Sequence, residues 1–399
     1  MPPALLSTKV VMRSLLAASL SVLPVSLAIA DGAFYGDPPD ATHPWAIHDM
    51  NRPQPPVVVA GTPSSNEQPG KPPSDAVVLF GGSEADIQKW QADKNPPEPT
   101  KWVVKNGLLQ CVPGSGYIRT KEQFSDCQLH VEWSEPEDIE GKSQGRGNSG
   151  IFLMGQVEVQ VLDNHNNPTY PDGAAGSVYG VNPPMANPIR KPGEWQTYDI
   201  VFRRPIFKDG KEVDPGYLTV FINGVLVQDH TPIEGGGGHK ARSKPRAFPD
   251  MGPLKLQDHG NPVRYRNIWY RPLPKRAIDG GDTSHMSEEQ TKAKRAEIAK
   301  TIRDDAAKLQ GNDKMLRLLE SLVYESNADA LSEGTTMADA FVAAMKAVPS
   351  DKLESKKGEI MHVNSAFQYL TKFKLVPDSF KAAAELNAIV KANEWDKKK

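Results

Sequence analysis

Three short stretches of this sequence carry hydrogen-bonding and titratable side chains on every second residue. In VEVQVLDN, Glu158 and Gln160 alternate with Val157, Val159 and Val161, and Asp163 follows at the end of the run. In LKLQDHG, Lys255, Gln257 and His259 alternate with Leu254 and Leu256. In QLHVEW, Gln128, His130 and Glu132 alternate with Leu129, Val131 and Trp133. A strand turns successive side chains to opposite faces, so each run buries its apolar half and shows its polar half on one surface. If the runs share a sheet, carboxylates, imidazoles and amides converge on one face. Those are groups for proton transfer and for holding hydroxyls, as a sugar-binding cleft requires.

The same alternation also describes the wet face of an ordinary antiparallel sheet. Gln128 and Lys255 fit that account well. Glu158, Gln160, Gln257 and His259 fit it less well, since Gln and His have no preference for strands. Their neighbours Asp163, Asp258 and Gly260 are turn-formers, which puts them near strand ends. Alternation by itself leaves both accounts open. Arg146 and Asn148 in GRGNSG either overhang such a cleft or form a hinge before a strand. His239 in GGGGHK belongs to a flexible loop that acts as a lid or is merely a mobile surface segment. Tyr179 and Trp195 can stack on a sugar ring, although aromatic residues are more often simply buried. No zinc-type Cys/His cluster, P-loop or nucleophile elbow is present.

The elements that must position these residues are short strands. Two Asn-Gly pairs between β-rich runs, WVVK-Asn106-Gly107-LLQC and TVFI-Asn223-Gly224-VLVQ, predict hairpins with type I′ turns. Further strands are expected at residues 128–133, 150–154, 157–162, 198–202, 253–257 and 263–270. Strands this numerous without intervening helices predict a mainly β, two-sheet sandwich or jelly roll over residues 74–274. The 35 prolines and 32 glycines, with 38% hydrophobic residues, suit that loop-rich class better than an all-helical one. Beyond residue 285 the period changes. Ser287-Glu-Glu-Gln290 is a capping box, and Ile298, Ile302, Ala306 and Leu309 recur at helical spacing, as do Met315, Leu319 and Leu322 further on. Residues 285–399 therefore predict a small α-helical domain, with no metal or nucleophile pattern, suited to packing, docking a protein partner or self-association.

Residues 1–30 have the form of a cleavable signal: Lys9 and Arg13, an apolar stretch from Ser14, and Ala28-Ile29-Ala30 before the cut. Pro24 interrupts the apolar run, which argues against a membrane anchor, since a span needs ~20 apolar residues. The expectation is a periplasmic or secreted protein. Residues 31–73 are polar and proline-dense and predict a linker or strap over the main domain, with Trp45 and Ile47 able to pin it. The near balance of 47 basic and 49 acidic residues argues against a nucleic-acid partner. Cys111 and Cys127 are as consistent with two buried thiols as with a disulfide.

The stretches VVLFGG, KWVVKNGLLQCVPGSGYIRTKEQFSDCQLHVEW, RGNSGIFLMG, VEVQVLDNHN, GSVYGVNPP, PGEWQTYDIVF, VFINGVLVQDH and GPLKLQDHGNPVRYRNIWYRPLP occur in that order. Together they resemble the 3-keto-disaccharide hydrolase family, a concanavalin A-like lectin and glucanase jelly roll. The resemblance covers residues 74–274. It departs from the family at Gly81-Gly82-Ser83-Glu84, where an Asn-Gly-Lys-type turn is usual, and the helical tail lies outside it.

The resemblance implies cleavage of glycosides oxidised at carbon 3. The ketone acidifies the hydrogen at carbon 2, a base removes it, and the leaving group departs from carbon 1; addition of water completes a net hydrolysis. A base of near-neutral pKa and an electrophile at the carbonyl oxygen are needed. The resemblance makes His259 the first choice of base and Glu158 the second. Gln160, Gln257, Asn148, Arg146, Glu132, Lys255 and Tyr179 are expected to hold substrate, with Arg146, Arg119 or Lys255 neutralising the enolate. Alternatively Glu158, Asp163 and His259 would ligate one divalent metal, with no other cofactor implied. The rival classes are a carbohydrate-binding module without catalysis and a scaffold that docks a partner through its helical tail.

Overall fold

Each Asn-Gly pair closes a hairpin. Asn106 and Gly107 have φ of 53° and 75°, Asn223 and Gly224 have 51° and 80°, as a type I′ turn demands. In a computed structural model of the chain, residues 32–282 and 285–397 are described. The expected signal segment, residues 1–30, lies outside them. The described chain divides into two compact units, residues 54–290 and a second formed by residues up to 53 together with 291–399.

The first unit is the β-sandwich. Its strands in chain order are β1 (Val77–Phe80), β2 (Trp90–Ala92), β3 (Val103–Lys105), β4 (Leu108–Gln110), β5 (Ile118–Thr120), β6 (Cys127–Ser134), β7 (Ser149–Leu153) and β8 (Val157–Val161). There follow β9 (Gln196–Arg203), β10 (Ile206–Lys208), β11 (Lys211–Asp214), β12 (Tyr217–Ile222), β13 (Val225–Pro232), β14 (Lys255–Leu256) and β15 (Arg264–Pro272). One sheet runs β13-β12-β9-β6-β15-β4-β3, with β1 added on β15; the other runs β2-β5-β14-β7-β8. Strands β10 and β11 form a separate ribbon.

The apolar halves of the alternating runs face each other between the sheets. Leu129, Val131, Ile200, Phe202, Leu218 and Val220 come from the larger sheet, and Ile118, Ile151, Val157, Val159, Val161 and Leu256 from the smaller. All are buried, and each such side chain contributes roughly 1.5–3 kcal/mol relative to exposure. Two buried tyrosines of the larger sheet tie down β7 and β8. Tyr198 donates to the carbonyl of Gln160 at 2.8 Å, and Tyr265 to the Ser149 hydroxyl at 2.7 Å. Cys111 and Cys127 are both free, buried thiols.

The helices of the second unit are introduced by the capping box at Ser287, in the last residues of the first unit: the Gln290 N–H donates to the Ser287 hydroxyl, which donates in turn to the Gln290 amide at 3.0 Å. It opens α1 (Glu288–Ala306), followed by α2 (Gly311–Ser321), α3 (Ala328–Lys346), α4 (Ser350–Leu353), α5 (Lys357–Lys372) and α6 (Ala382–Ala392). Met315, Leu319, Phe341, Phe367 and Leu386 share its core. Residues 32–53, read from sequence as part of a strap on the sandwich, cluster instead with these helices. The Ala33 N–H and the Asn51 amide both donate to the buried Glu320 carboxylate, at 2.8 and 2.7 Å, and Trp45 packs edge-on against Tyr324. Ile47 stays exposed. Residues 64–66 do lie on the sandwich, through Ser64 on Glu132 and Asn66 on the Trp195 N–H. Among the described residues no helix is long and apolar enough to cross a membrane.

Candidate active site

The pairing registers of the smaller sheet draw a line of side chains across its outer face. Gln91 pairs with Arg119, Arg119 with Lys255, Lys255 with Phe152 and Phe152 with Glu158. An isolated bridge between Val159 and Val178 adds Tyr179 beside Glu158, with the Tyr179 N–H on the Glu158 carbonyl at 3.1 Å. The adjacent line holds Gly150 opposite Gln160, and Gln257, whose N–H meets the Gly150 carbonyl at 3.0 Å. Glu158, Gln160, Gln257, Lys255 and Tyr179 therefore share one face, as alternation predicted.

Glu158 is 8% exposed, and among the described residues its carboxyl has neither a hydrogen-bond nor an ion-pair partner. Burial without compensation penalises the charged form and pushes its pKa up to about 8, against a smaller pull downward from the positive charge of Lys255. Gly150 is the reason a carboxyl fits there, since a Cβ at that position would collide with Glu158 Oε1. The amides beside it are half-satisfied. Gln160 donates to Gln144 at 3.0 Å and Gln257 to the Tyr117 hydroxyl at 2.9 Å, while the side-chain oxygen of each is buried without a donor. Asn148 joins this network by donating to the Gln144 carbonyl at 2.8 Å. An unpaired buried acceptor costs about 1–3 kcal/mol, which a hydroxyl of a bound sugar would recover. Lys255 lies over the Phe152 ring, 4.8 Å from its centre, and shares Asp93 with Arg119 at 3.3 and 3.2 Å.

His259 is not part of this face. Strand β14 ends at Leu256, and Asp258 turns the chain by accepting the Gly260 N–H, so the alternation lapses before it reaches the imidazole. His259 is exposed and lines a separate hollow of ≈ 480 Å³ with Asp138, Glu140 and Asn261. The buried Asp163 and the half-buried Arg146 form an ion pair at 2.6 Å beyond the end of β8. Among the described residues no three His, Cys, Asp or Glu side chains are grouped to hold a metal ion, and the expected set Glu158, Asp163 and His259 is not assembled.

Glu132 lies in β6, on the larger sheet. Burial would raise its pKa, but hydrogen bonds from His130, Ser64, Asn267 and Arg266 outweigh that and hold it at about 2. It is a fully enclosed structural anion, paired with Arg266 at 2.7 Å. Trp195 stacks under that same Arg266, 4.0 Å from ring centre to guanidinium, instead of facing Glu158.

The site also contains groups that the sequence reading missed. Phe152 and Gly150 were legible, being the outward residues of SGIFL. Tyr117 and Gln144 carried no periodic signal; Gln144 comes from the short 3-10 turn Ser143–Gly145. A second buried carboxyl, Glu135, has its pKa pushed up to about 8 by burial and by the charge of Asp163, with Arg146 and Arg264 pulling the other way. It lies with the Arg146–Asp163 pair, beside Gly147.

Residues 75–271 match the model of the 3-keto-alpha-glucoside-1,2-lyase-like domain. A solved structure from Parabacteroides distasonis, provisionally named a glycosyl hydrolase, is 41% identical over 57% of this chain and 95% of its own, with a TM-score of 0.52. The chain belongs to the 3-keto-alpha-glucoside-1,2-lyase-like family. A second P. distasonis structure, also provisionally named a glycosyl hydrolase, is 21% identical over 50% of this chain and 94% of its own, with a TM-score of 0.35. A carbohydrate-binding module from Bacillus subtilis is 11% identical over 49% of this chain and 93% of its own, at 0.22. No curated protein matches the chain. The lyase-like domain accounts for the sandwich, and the helices from α1 onward lie outside the matched residues.

Proposed function

We propose that the chain cleaves 3-keto-glycosides on the outer face of its smaller sheet, with Glu158 as the base. The observation that carries this is the Glu158 carboxyl: buried, without a partner, with a pKa near 8, and set between amide oxygens that lack donors. A base works best when its pKa lies near the working pH. In the proposed reaction Glu158 takes the proton from carbon 2, and the electrons of that bond pass into an enolate between carbons 2 and 3. The enolate then collapses to restore the ketone, makes the bond between carbons 1 and 2 double, and expels the leaving oxygen as its bond to carbon 1 breaks. That oxygen receives a proton from the protonated Glu158 or from solvent; water adding to the new double bond gives net hydrolysis.

Lys255 belongs to this line, its positive charge acts on Glu158, and it is assigned to stabilise the enolate. Gln160 and Gln257 are assigned to hydroxyls of the ring. In this reading the steps are assigned to side chains of this chain and to solvent. Export through residues 1–30 belongs to the same reading, and secreted material should begin at Asp31 by intact mass.

The test is incubation of the intact protein with a 3-keto-glucoside in heavy water. Release of the aglycone with deuterium at carbon 2 supports the reading. Binding without turnover would instead favour a carbohydrate-binding module, and neither binding nor turnover would leave docking through the helical tail as the role to pursue.

A further inference from the structure

Beyond Tyr179, the cross-strand neighbour of Glu158, lies a hollow of ≈ 590 Å³ that the proposed chemistry does not use. Its volume is typical of small-molecule sites, roughly 300–1,000 Å³. Tyr170, Asp172 and Tyr179 line it, together with His239, Lys240 and Arg242 from the loop 234–246. That loop reads EGGGGHKARSKPR, and its tetraglycine is held close against the sheet. Gly235, Gly236 and Gly237 have φ of 80°, 101° and 84°. A Cβ on Gly236 would collide with the carbonyl of Gln156, and one on Gly237 with the carbonyl of Tyr179. Only glycine lets the backbone lie this close to the sheet in this conformation. The loop is therefore seated, and the basic residues that follow are delivered to a defined wall.

A hydrogen-bonded chain joins that wall to the active-site line. The Tyr170 and Tyr179 hydroxyls are 2.8 Å apart, and the Tyr179 hydroxyl is 3.0 Å from His239 Nδ1. Lys240 and Arg242 are exposed to the hollow's solvent side, and among the described residues neither has an ion-pair partner. Asp172 is the carboxylate among the lining residues, so the two fixed cations leave a positive excess. Arg presents a planar fork suited to carboxylate or phosphate oxygens, and Lys a mobile point charge beside it.

We infer that this hollow receives the leaving group of the substrate, and that Lys240 and Arg242 select one bearing an anion, either a carboxylate or a phosphate. The inference rests on the proposed function for the words "leaving group"; the anion site stands on the hollow and its charges. Arg242 takes the anionic oxygens, Lys240 adds charge, and the tyrosine pair supplies hydroxyls and a ring face for the sugar body.

The test titrates the intact protein with glucuronate, glucose 6-phosphate and glucose by calorimetry at low and high salt. Binding of glucuronate, glucose 6-phosphate or both, stronger than glucose and weakened by salt, is expected, and the acid that binds identifies the source of the charge. In a Lys240→Gln/Arg242→Gln variant the preference for the acidic sugar over glucose should fall at least about tenfold, the scale of a charge-assisted hydrogen bond. Glucose binding as well as both acids, no acid binding at all, or an unchanged preference in the variant overturns the inference. With 3-keto-glycosides carrying a uronate or a neutral sugar as leaving group, the same variant should lower the ratio of their kcat/KM values. Acid binding without turnover of either glycoside would remove the enzymatic reading and leave the anion site in place.

Discussion

Replacing Glu158 by Gln keeps the side chain's shape and removes its charge, so stability and turnover can be read separately. In the folded protein the Glu158 pKa stands at about 8, against the ordinary 4.5. Between these values the unfolded chain releases the proton while the folded chain keeps it. The unfolded state then binds fewer protons, and stability falls as pH rises. From the two pKa values, the penalty from this one group is about 1 kcal/mol at pH 5 and about 3 kcal/mol at pH 7. Gln carries no such penalty. Between pH 5 and pH 8 the wild type should therefore lose roughly 3–4 kcal/mol more stability than Glu158→Gln. Urea unfolding of the intact proteins at the two pH values measures this, followed by tryptophan fluorescence, since Trp90, Trp102, Trp133, Trp195 and Trp269 all belong to the sandwich. The same variant should lack turnover at every pH, whereas wild-type kcat/KM should climb toward a plateau with an apparent pKa near 8. A stability difference that does not change with pH would show that the carboxyl is not perturbed, and the assignment of Glu158 as a near-neutral base would go with it.

Gly150→Ala should abolish or sharply reduce turnover, because the new methyl displaces the Glu158 carboxyl, and should cost about 1–3 kcal/mol of stability by overpacking; activity near wild type would place the reacting carboxyl elsewhere. Lys255→Met removes the charge that pulls the Glu158 pKa down, so the limb of the kcat/KM profile should move to higher pH; an unmoved limb would count against electrostatic coupling between the two. His259→Ala should leave turnover and stability near wild type, since the imidazole lies on an exposed turn beyond β14, and a large loss in kcat would return it to the site. Glu132→Gln should destabilise the sandwich by about 3 kcal/mol or more, by leaving Arg266 without its carboxylate. The Glu132 pKa is depressed, so the stability it contributes is present above pH 4.5 and is lost as pH falls toward 2; urea titrations across that range check it.

The two Asn-Gly turns, the six expected strands and the Ser287 capping box were legible because each depends on neighbours within a few residues. That Gln160 and Gln257 share a face was legible for the same reason: each continues an alternating run whose apolar half must be buried. His259 was misplaced because alternation holds only while the chain stays extended, and a strand of two residues gives it little to continue. Glu132 was misplaced because an alternating run shows that a face is polar but not which sheet owns it.

Local chemistry along the chain was thus enough to determine the sandwich, its hairpins, the helical region and the short set of side chains able to do chemistry. Only the tertiary structure decided which of them lie together, because neighbours across a sheet are set by pairing register between strands distant in sequence. Glu158 and Glu132 have the same side chain and the same alternating surroundings in sequence. One is left unpaired opposite Phe152, beside the space that Gly150 opens, and is driven toward pKa 8, while the other is clasped by Arg266 and held near 2. What separates a carboxyl of near-neutral pKa from a structural anion here is the partners that folding brings to each.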